Sequence, residues 1–282
     1  MDTIIKILFA VAALGGIGVL FGFVLGVAGK KFAVEVDERV QAVRAAVSGA
    51  NCGACGYAGC DAFAEAVVRG EASTSGCTPG GSKSAKAVAD IMGVSANAIE
   101  PMVARVRCQG NCDNVKPRFE YAGIPSCRAA SSLSGGPNAC EFGCVGLGDC
   151  VDHCPFGAIH MEKGVAVIDQ NVCTGCAVCI AVCPRGIIQM LPKDQTVIVL
   201  CRNKAIGRIA ALQCKTACVG CKRCEKQCPT NSIIVKDGVA EIDETTCTRC
   251  GACIPVCPMH CIVNFYECQD EEILDEQLPD EA

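Results

Sequence analysis

The chain has 282 residues, of which 27 are Cys, none is Trp and 4% are aromatic. A net charge of −5 excludes a generally basic nucleic-acid binder. So few aromatics leave a thin conventional core, for which bound metal is the usual substitute, because its binding free energy becomes folding free energy.

Residues 7–29 carry no charge, with Lys6 before them and Lys30 and Lys31 after. At about 1.5 Å per residue a helix of this length crosses a bilayer core, so residues 1–30 are expected to be a single-pass transmembrane anchor. A cleaved signal peptide fits less well. The run is longer than a typical apolar signal region, no clear small-residue cleavage site follows, and export would carry the Cys into an oxidising compartment. Lys30 and Lys31 favour a cytoplasmic side for everything downstream. Gly18, Gly22 and Gly26 form a stripe that permits close contact with another membrane helix, although Gly is tolerated in such helices in any case.

Residues 34–47 read as a short amphipathic helix, and 62–68 and 82–92 as two more, the last stopping at Gly93. Between them lies Asn51-Cys52-Gly-Ala-Cys55-Gly-Tyr-Ala-Gly-Cys60, with Cys77 downstream. These four Cys are candidate ligands of one metal centre within a helical domain over 31–100. A C-x₂-C pair is also half of a zinc motif. The Gly-rich loop lets backbone N–H groups approach sulfur, which suits an iron–sulfur cluster, and the runs further along favour that reading.

Bacterial ferredoxins hold [4Fe–4S] clusters with C-x₂-C-x₂-C-x₃-C-P, the fourth Cys ligating the other cluster of a pair. Three full copies are present: Cys173, Cys176, Cys179 and Cys183-Pro184; Cys218, Cys221, Cys224 and Cys228-Pro229; Cys247, Cys250, Cys253 and Cys257-Pro258. A fourth copy, Cys144, Cys150 and Cys154-Pro155, has Leu147 in the second position. Zinc requires neither this three-plus-one spacing nor the Pro.

The segment Cys140-Glu-Phe-Gly-Cys144-Val-Gly-Leu matches Cys214-Lys-Thr-Ala-Cys218-Val-Gly-Cys, and Val106-Arg-Cys108 resembles Val199-Leu-Cys201. Strand pairs are expected over 158–168 and 232–242, so the two halves are an internal duplication. Crossed ligation then groups Cys140, Cys144, Cys150 and Cys183, with Cys140 replacing the missing ligand. It also groups Cys154 with Cys173, Cys176 and Cys179; Cys218, Cys221 and Cys224 with Cys257; and Cys228 with Cys247, Cys250 and Cys253. With the N-terminal centre this makes five clusters. Cys108, Cys112, Cys127, Cys201, Cys214, Cys261 and Cys268 are left over. They read as buried free thiols, and a sixth cluster from Cys108, Cys112, Cys127 and one of Cys140, Cys201 or Cys214 stays open.

The expected fold is α+β: one N-terminal transmembrane helix, a small helical [4Fe–4S] domain and two tandem bacterial-type dicluster ferredoxin domains. Expected boundaries are 1–30 for the anchor, 31–100 for the first cluster domain, 101–135 for a connector, 136–195 and 196–266 for the ferredoxin domains, and 267–282 for an acidic tail with eight acids and no base.

The membrane helix, the Asn51–Cys60 loop, the Cys140–Cys150 segment and the paired runs together resemble the B subunit of the Rnf ion-translocating electron-transport complex, in its long form with two ferredoxin units. The resemblance spans nearly the whole chain, and Leu147 shares the family pattern. It implies a translocase component at the cytoplasmic membrane, with its soluble domains on the cytoplasmic side. Soluble ferredoxin would be the donor, other membrane and flavin subunits the next acceptors and NAD⁺ the last, with the free energy driving Na⁺ or H⁺ outward. A related complex, Rsx, reduces a redox-sensing transcription factor, which is one alternative; a non-redox structural zinc protein is another.

No nucleophile, acid–base pair or nucleotide loop is apparent, and His153, His160 and His260 are isolated. The chain is therefore expected to carry electrons for a larger enzyme, with no complete active site of its own. Residues 202–226 hold seven bases against one acid. Lys222, Arg223 and Lys226 are the candidate docking surface for an acidic ferredoxin; balancing the charge of nearby clusters is the plainer alternative.

Overall fold

A computed structural model describes residues 2–31, 37–95 and 100–265. Helix α1 (Asp2–Lys31) contains the expected apolar run. Along its described side chains Leu14, Val19, Phe23 and Leu25 are 69–75% exposed. Among the described residues no helix is long and apolar enough to cross a membrane.

Three helices build the next unit. Helix α2 (Glu38–Ala46) begins where the Asp37 side chain accepts the Arg39 backbone N–H at 2.9 Å, a normal N-cap. That cap explains why it starts later than the amphipathic pattern suggests; residues 34–36 lie outside the described residues. Helices α3 (Cys60–Val68) and α4 (Gly81–Met92) pack with it around Val43, Phe63, Val67 and Val88. Helix α4 stops at Gly93, whose φ of +68° closes the helix in the left-handed region.

The remaining chain repeats one design twice. The first half runs β1 (Met102–Val106), α5 (Cys127–Ser132), α6 (Asp149–Asp152), β2 (Ile159–Glu162), β3 (Val165–Ile168), α7 (Val178–Val182) and β4 (Ile188–Pro192). The second runs β5 (Val197–Val199), α8 (Arg208–Gln213), α9 (Arg223–Gln227), β6 (Ile233–Lys236), β7 (Val239–Ile242) and β8 (Ile262–Asn264). Strands β2–β3 and β6–β7 are the expected hairpins, and β1–β4 and β5–β8 pair antiparallel to close each half. Segment 101–135, expected as a connector, thus supplies the strand that closes the first half.

None of these two-stranded sheets is stable alone in water, and the helices of the two halves are too short to persist on their own. The second half's core is rich in Cys: Cys201, Cys214, Cys218, Cys224, Cys257 and Cys261 are buried with Val197, Ile233 and Ile262. The first half buries Cys179 among Val106, Ile159, Val165, Ile168 and Ile188, with most of its other Cys packed against that cluster. The acidic tail and Cys268 lie outside the described residues.

Arg107, only 5% exposed, ties the halves together. It donates to the Val199 carbonyl at 3.2 Å and the Ala240 carbonyl at 3.3 Å in the second half, and to Gln189 Oε1 at 3.0 Å in the first. Burial draws its pKa below the ordinary arginine value, so these acceptors hold a charge that water has left. Replacing it orphans two buried carbonyls. Arg107→Met is expected to cost about 2–4 kcal/mol, read as a lower urea midpoint of the metal-loaded protein; an unchanged midpoint would show that the seam does not depend on it.

Candidate metal centres

The four ferredoxin-type runs share one backbone path. The residues on either side of the second run position are left-handed in every copy: Gly146 and Gly148, Gly175 and Ala177, Gly220 and Lys222, Arg249 and Gly251. The path persists at Leu147, where no thiol is present. Successive turns of this kind aim N–H groups into a concavity suited to negative charge. Ala177, Lys222 and Arg249 hold φ near +60° without being Gly, a conformation that costs of order 1–2 kcal/mol each and needs a compensating interaction.

The second half matches the crossed grouping. Cys218, Cys221, Cys224 and Cys257 line one cavity, and Cys228, Cys247, Cys250 and Cys253 line another. In the first half Cys179 interacts electrostatically with Cys173, Cys176 and Cys154. In the helical unit Cys60 and Cys77 are buried together with Cys55 packed against them, and Cys52 is half-buried. Cys176 is within electrostatic reach of Cys52 in the helical unit.

The remaining expected group, Cys140, Cys144, Cys150 and Cys183, does not line one cavity. Cys144, Cys150 and Cys183 share a cavity with Cys127, whereas Cys140 lines a neighbouring one with Cys214, which Cys144 also borders. Cys127 packs in a small cluster that includes Leu147, next to the position it replaces. Asp149 delivers it: its carboxylate accepts the Cys127 N–H at 2.9 Å and the Ser126 hydroxyl at 3.0 Å, anchoring the start of α5 beside Cys150. Burial alone would raise the Asp149 carboxyl, but these bonds hold it below the ordinary value. One signal in the sequence points away from Cys140. Its counterpart Cys214 sits in a half whose run already has all its Cys, so a Cys at the shared position is not tied to the loss at Leu147.

The donor set fits [4Fe–4S] clusters. Burial, reinforced by neighbouring thiols, pushes Cys150 and Cys179 up to about 12, and burial likewise pushes Cys224 and Cys253 to about 11. Left to themselves these groups stay protonated; a cationic core among them is what would hold them as thiolates. Cys261 lies beside the Cys218 quartet, 3.5 Å from Cys257 Sγ. Its thiol lowers Cys218 to about 6 and Cys257 to about 5 while its own pKa rises. Among the described residues no three His, Cys, Asp or Glu groups are gathered to hold a single ion.

Lys222, Arg223 and Lys226 are exposed, as are Cys221 and Cys250, and Lys222 lines the Cys218 cavity. The three His stay outside the quartets. His153 donates Nδ1–H to the Asp149 carbonyl at 2.8 Å, and His160 and His260 are exposed. Cys112 is exposed too.

An Fe-S cluster family model matches residues 49–79, and 4Fe-4S dicluster domain models match 139–187 and 217–262. Cys108, Cys127, Cys201 and Cys214 lie outside all three spans. The chain is 45% identical over 257 residues to the B subunit of the Na(+)-translocating ferredoxin:NAD(+) oxidoreductase complex of Acetobacterium woodii, covering 91% of this chain and 77% of that protein. It is 41% identical to the B subunit of the proton-translocating ferredoxin:NAD(+) oxidoreductase complex of Clostridium ljungdahlii, covering 92% and 91%. It is 38% identical to the B subunit of the ion-translocating oxidoreductase complex of Methanosarcina acetivorans, covering 90% and 96%.

The exchange of Leu147 for Cys127 is directly testable. Cys127→Ser is expected to lower bound iron by about four per chain, one cluster's worth. Adding Leu147→Cys, on a backbone path already shaped like that around Cys221, should restore it. Full iron in Cys127→Ser would exclude Cys127 as a ligand.

Proposed function

The chain belongs to the family of B subunits of Rnf-type ion-translocating oxidoreductase complexes, and on that footing we propose that it accepts electrons from reduced ferredoxin and relays them to the membrane and flavin subunits of such a complex, which reduces NAD⁺ and moves Na⁺ or H⁺. The observation that carries the reading is the succession of Cys quartets from the helical unit through both ferredoxin halves.

Five quartets hold [4Fe–4S] clusters in this reading: Cys52, Cys55, Cys60 and Cys77; Cys154, Cys173, Cys176 and Cys179; Cys127, Cys144, Cys150 and Cys183; Cys218, Cys221, Cys224 and Cys257; Cys228, Cys247, Cys250 and Cys253. A [4Fe–4S] cluster, when bound, takes up and returns one electron without a change of ligands. The protein's part is to fix spacing, exclude water and direct N–H groups at sulfur, which together tune potential.

The donor docks on the second ferredoxin half. There Cys221 and Cys250 are exposed and Lys222, Arg223 and Lys226 supply positive charge against an acidic partner, which acts chiefly on association rate. Reversing all three to Glu is expected to slow ferredoxin oxidation about tenfold at low salt and to flatten its salt dependence. An unchanged rate and salt dependence would remove this surface from the reading.

The N-terminal helix anchors the chain. Its uncharged run over residues 7–29, flanked by Lys6, Lys30 and Lys31, supports insertion with the soluble domains on the cytoplasmic side. Deleting residues 1–30 is expected to move the protein from the membrane to the soluble fraction; retention of the truncated chain in membranes from cells lacking the other subunits would contradict the anchor.

A further inference from the structure

We infer that Cys108, Cys140, Cys201 and Cys214 hold a sixth [4Fe–4S] cluster at the seam between the two ferredoxin halves. The inference rests on the iron–sulfur reading above and extends it to four thiols that the five quartets leave unused.

All four line one cavity, together with Gly110, Gly143, Ala217 and a fifth Cys, Cys144 of the adjoining quartet. The first half contributes Cys108 and Cys140, the second Cys201 and Cys214. Within the duplication Cys108 corresponds to Cys201, and Cys140 to Cys214. Their sulfur environments correspond as well. Cys108 Sγ accepts the N–H of Gly110 at 3.3 Å and of Cys144 at 3.4 Å. Cys201 Sγ accepts the N–H of Asn203 at 3.4 Å and of Cys218 at 3.3 Å. Each sulfur thus takes one N–H from two residues on and one from the first Cys of its half's ferredoxin run. Backbone N–H groups directed at sulfur are how a protein stabilises cluster thiolates. A pair of inert core thiols would not need the same two donors in both halves.

Close approach at the seam is built into the chain. The loop around Cys214 is laid on the first half by a β-bridge between Val115 and Cys214, and by the Lys215 N–H donating to the Asn114 carbonyl at 3.0 Å. A Cβ at Gly110 would meet Cys108 Sγ at 3.4 Å and Cys214 Sγ at 3.7 Å, and one at Gly143 would meet Cys108 Sγ at 3.4 Å and Cys140 Sγ at 3.6 Å. Small residues at both positions keep the space between the sulfurs clear. Cys140, Cys201 and Cys214 are each 7–8% exposed and Cys108 is half-buried, so both halves shield the site from solvent.

The location gives the site a role. Cys144 belongs to one flanking quartet and Cys218 to another, and each donates its own N–H into the seam. Cys108, Cys140, Cys201 and Cys214 therefore stand between two dicluster units that are otherwise joined only by protein.

The test counts iron and acid-labile sulfide in the full chain purified anaerobically, with EPR after reduction by dithionite. The wild-type chain is expected to hold about 24 of each, four per quartet. The Cys201→Ser/Cys214→Ser double variant should lose about four of each, as should Cys140→Ser, which leaves the second half intact. Cys112→Ser, an exposed thiol outside the cavity, should lose none. A wild-type count of about 20, or Cys140→Ser and the double variant at full iron, would overturn the sixth site and leave the five-quartet reading standing. Zinc with little iron would overturn both.

Discussion

Buried thiolates repel one another and cannot be solvated, so a cationic core has to sit among them; most of this protein's architecture follows from that constraint. The chain offers little else to fold around. Its sheets are two-stranded, and the helices of the two halves are four to six residues long. The buried side chains of the second half are Cys as often as Val or Ile. Left-handed Ala177, Lys222 and Arg249 and the recurrent N–H donation to sulfur describe a backbone shaped to wrap a negative, thiolate-bound centre. Cofactor and fold are one cooperative unit here, as in other small metal-dependent domains.

Duplication supplied the plan, and the departures from it are informative. Leu147 removes a ligand from one run, yet the backbone there keeps the turn of the intact copies. A thiol from a separate helix, brought in by Asp149, occupies the neighbourhood instead. Where the halves meet, Arg107 spans the seam with one buried charge, and the four Cys not used by the runs converge there in corresponding pairs. The seam is the place where a duplicated module gains something that neither copy has alone.

Much of this was legible in residue spacing. The two complete runs of the second half suggest the crossed grouping whose Cys line shared cavities, and the hairpins β2–β3 and β6–β7 announce themselves by apolar strands around Gly164 and Gly238. What resisted reading was long-range. Strand β1 finds β4 across more than eighty residues, and nothing in Met-Val-Ala-Arg-Val names its partner. Cys127 is held beside Cys150 by a carboxylate 22 residues away, a contact that spacing does not encode. The likeness of Val106-Arg-Cys108 to Val199-Leu-Cys201 was visible, but that both Cys face one cavity depends on how the halves dock. The amphipathic pattern over 34–47 overran its helix because Asp37, a capping residue, sets the start.

The most direct measurement is an anaerobic titration of the purified chain with reduced ferredoxin, followed by visible absorbance and EPR. Bleaching of the sulfide-to-iron absorption, with reduced-cluster signals growing as ferredoxin is consumed, is the expected result. A chain that is colourless, or that stays oxidised under ferredoxin while dithionite reduces it, would contradict its place as the acceptor of ferredoxin electrons.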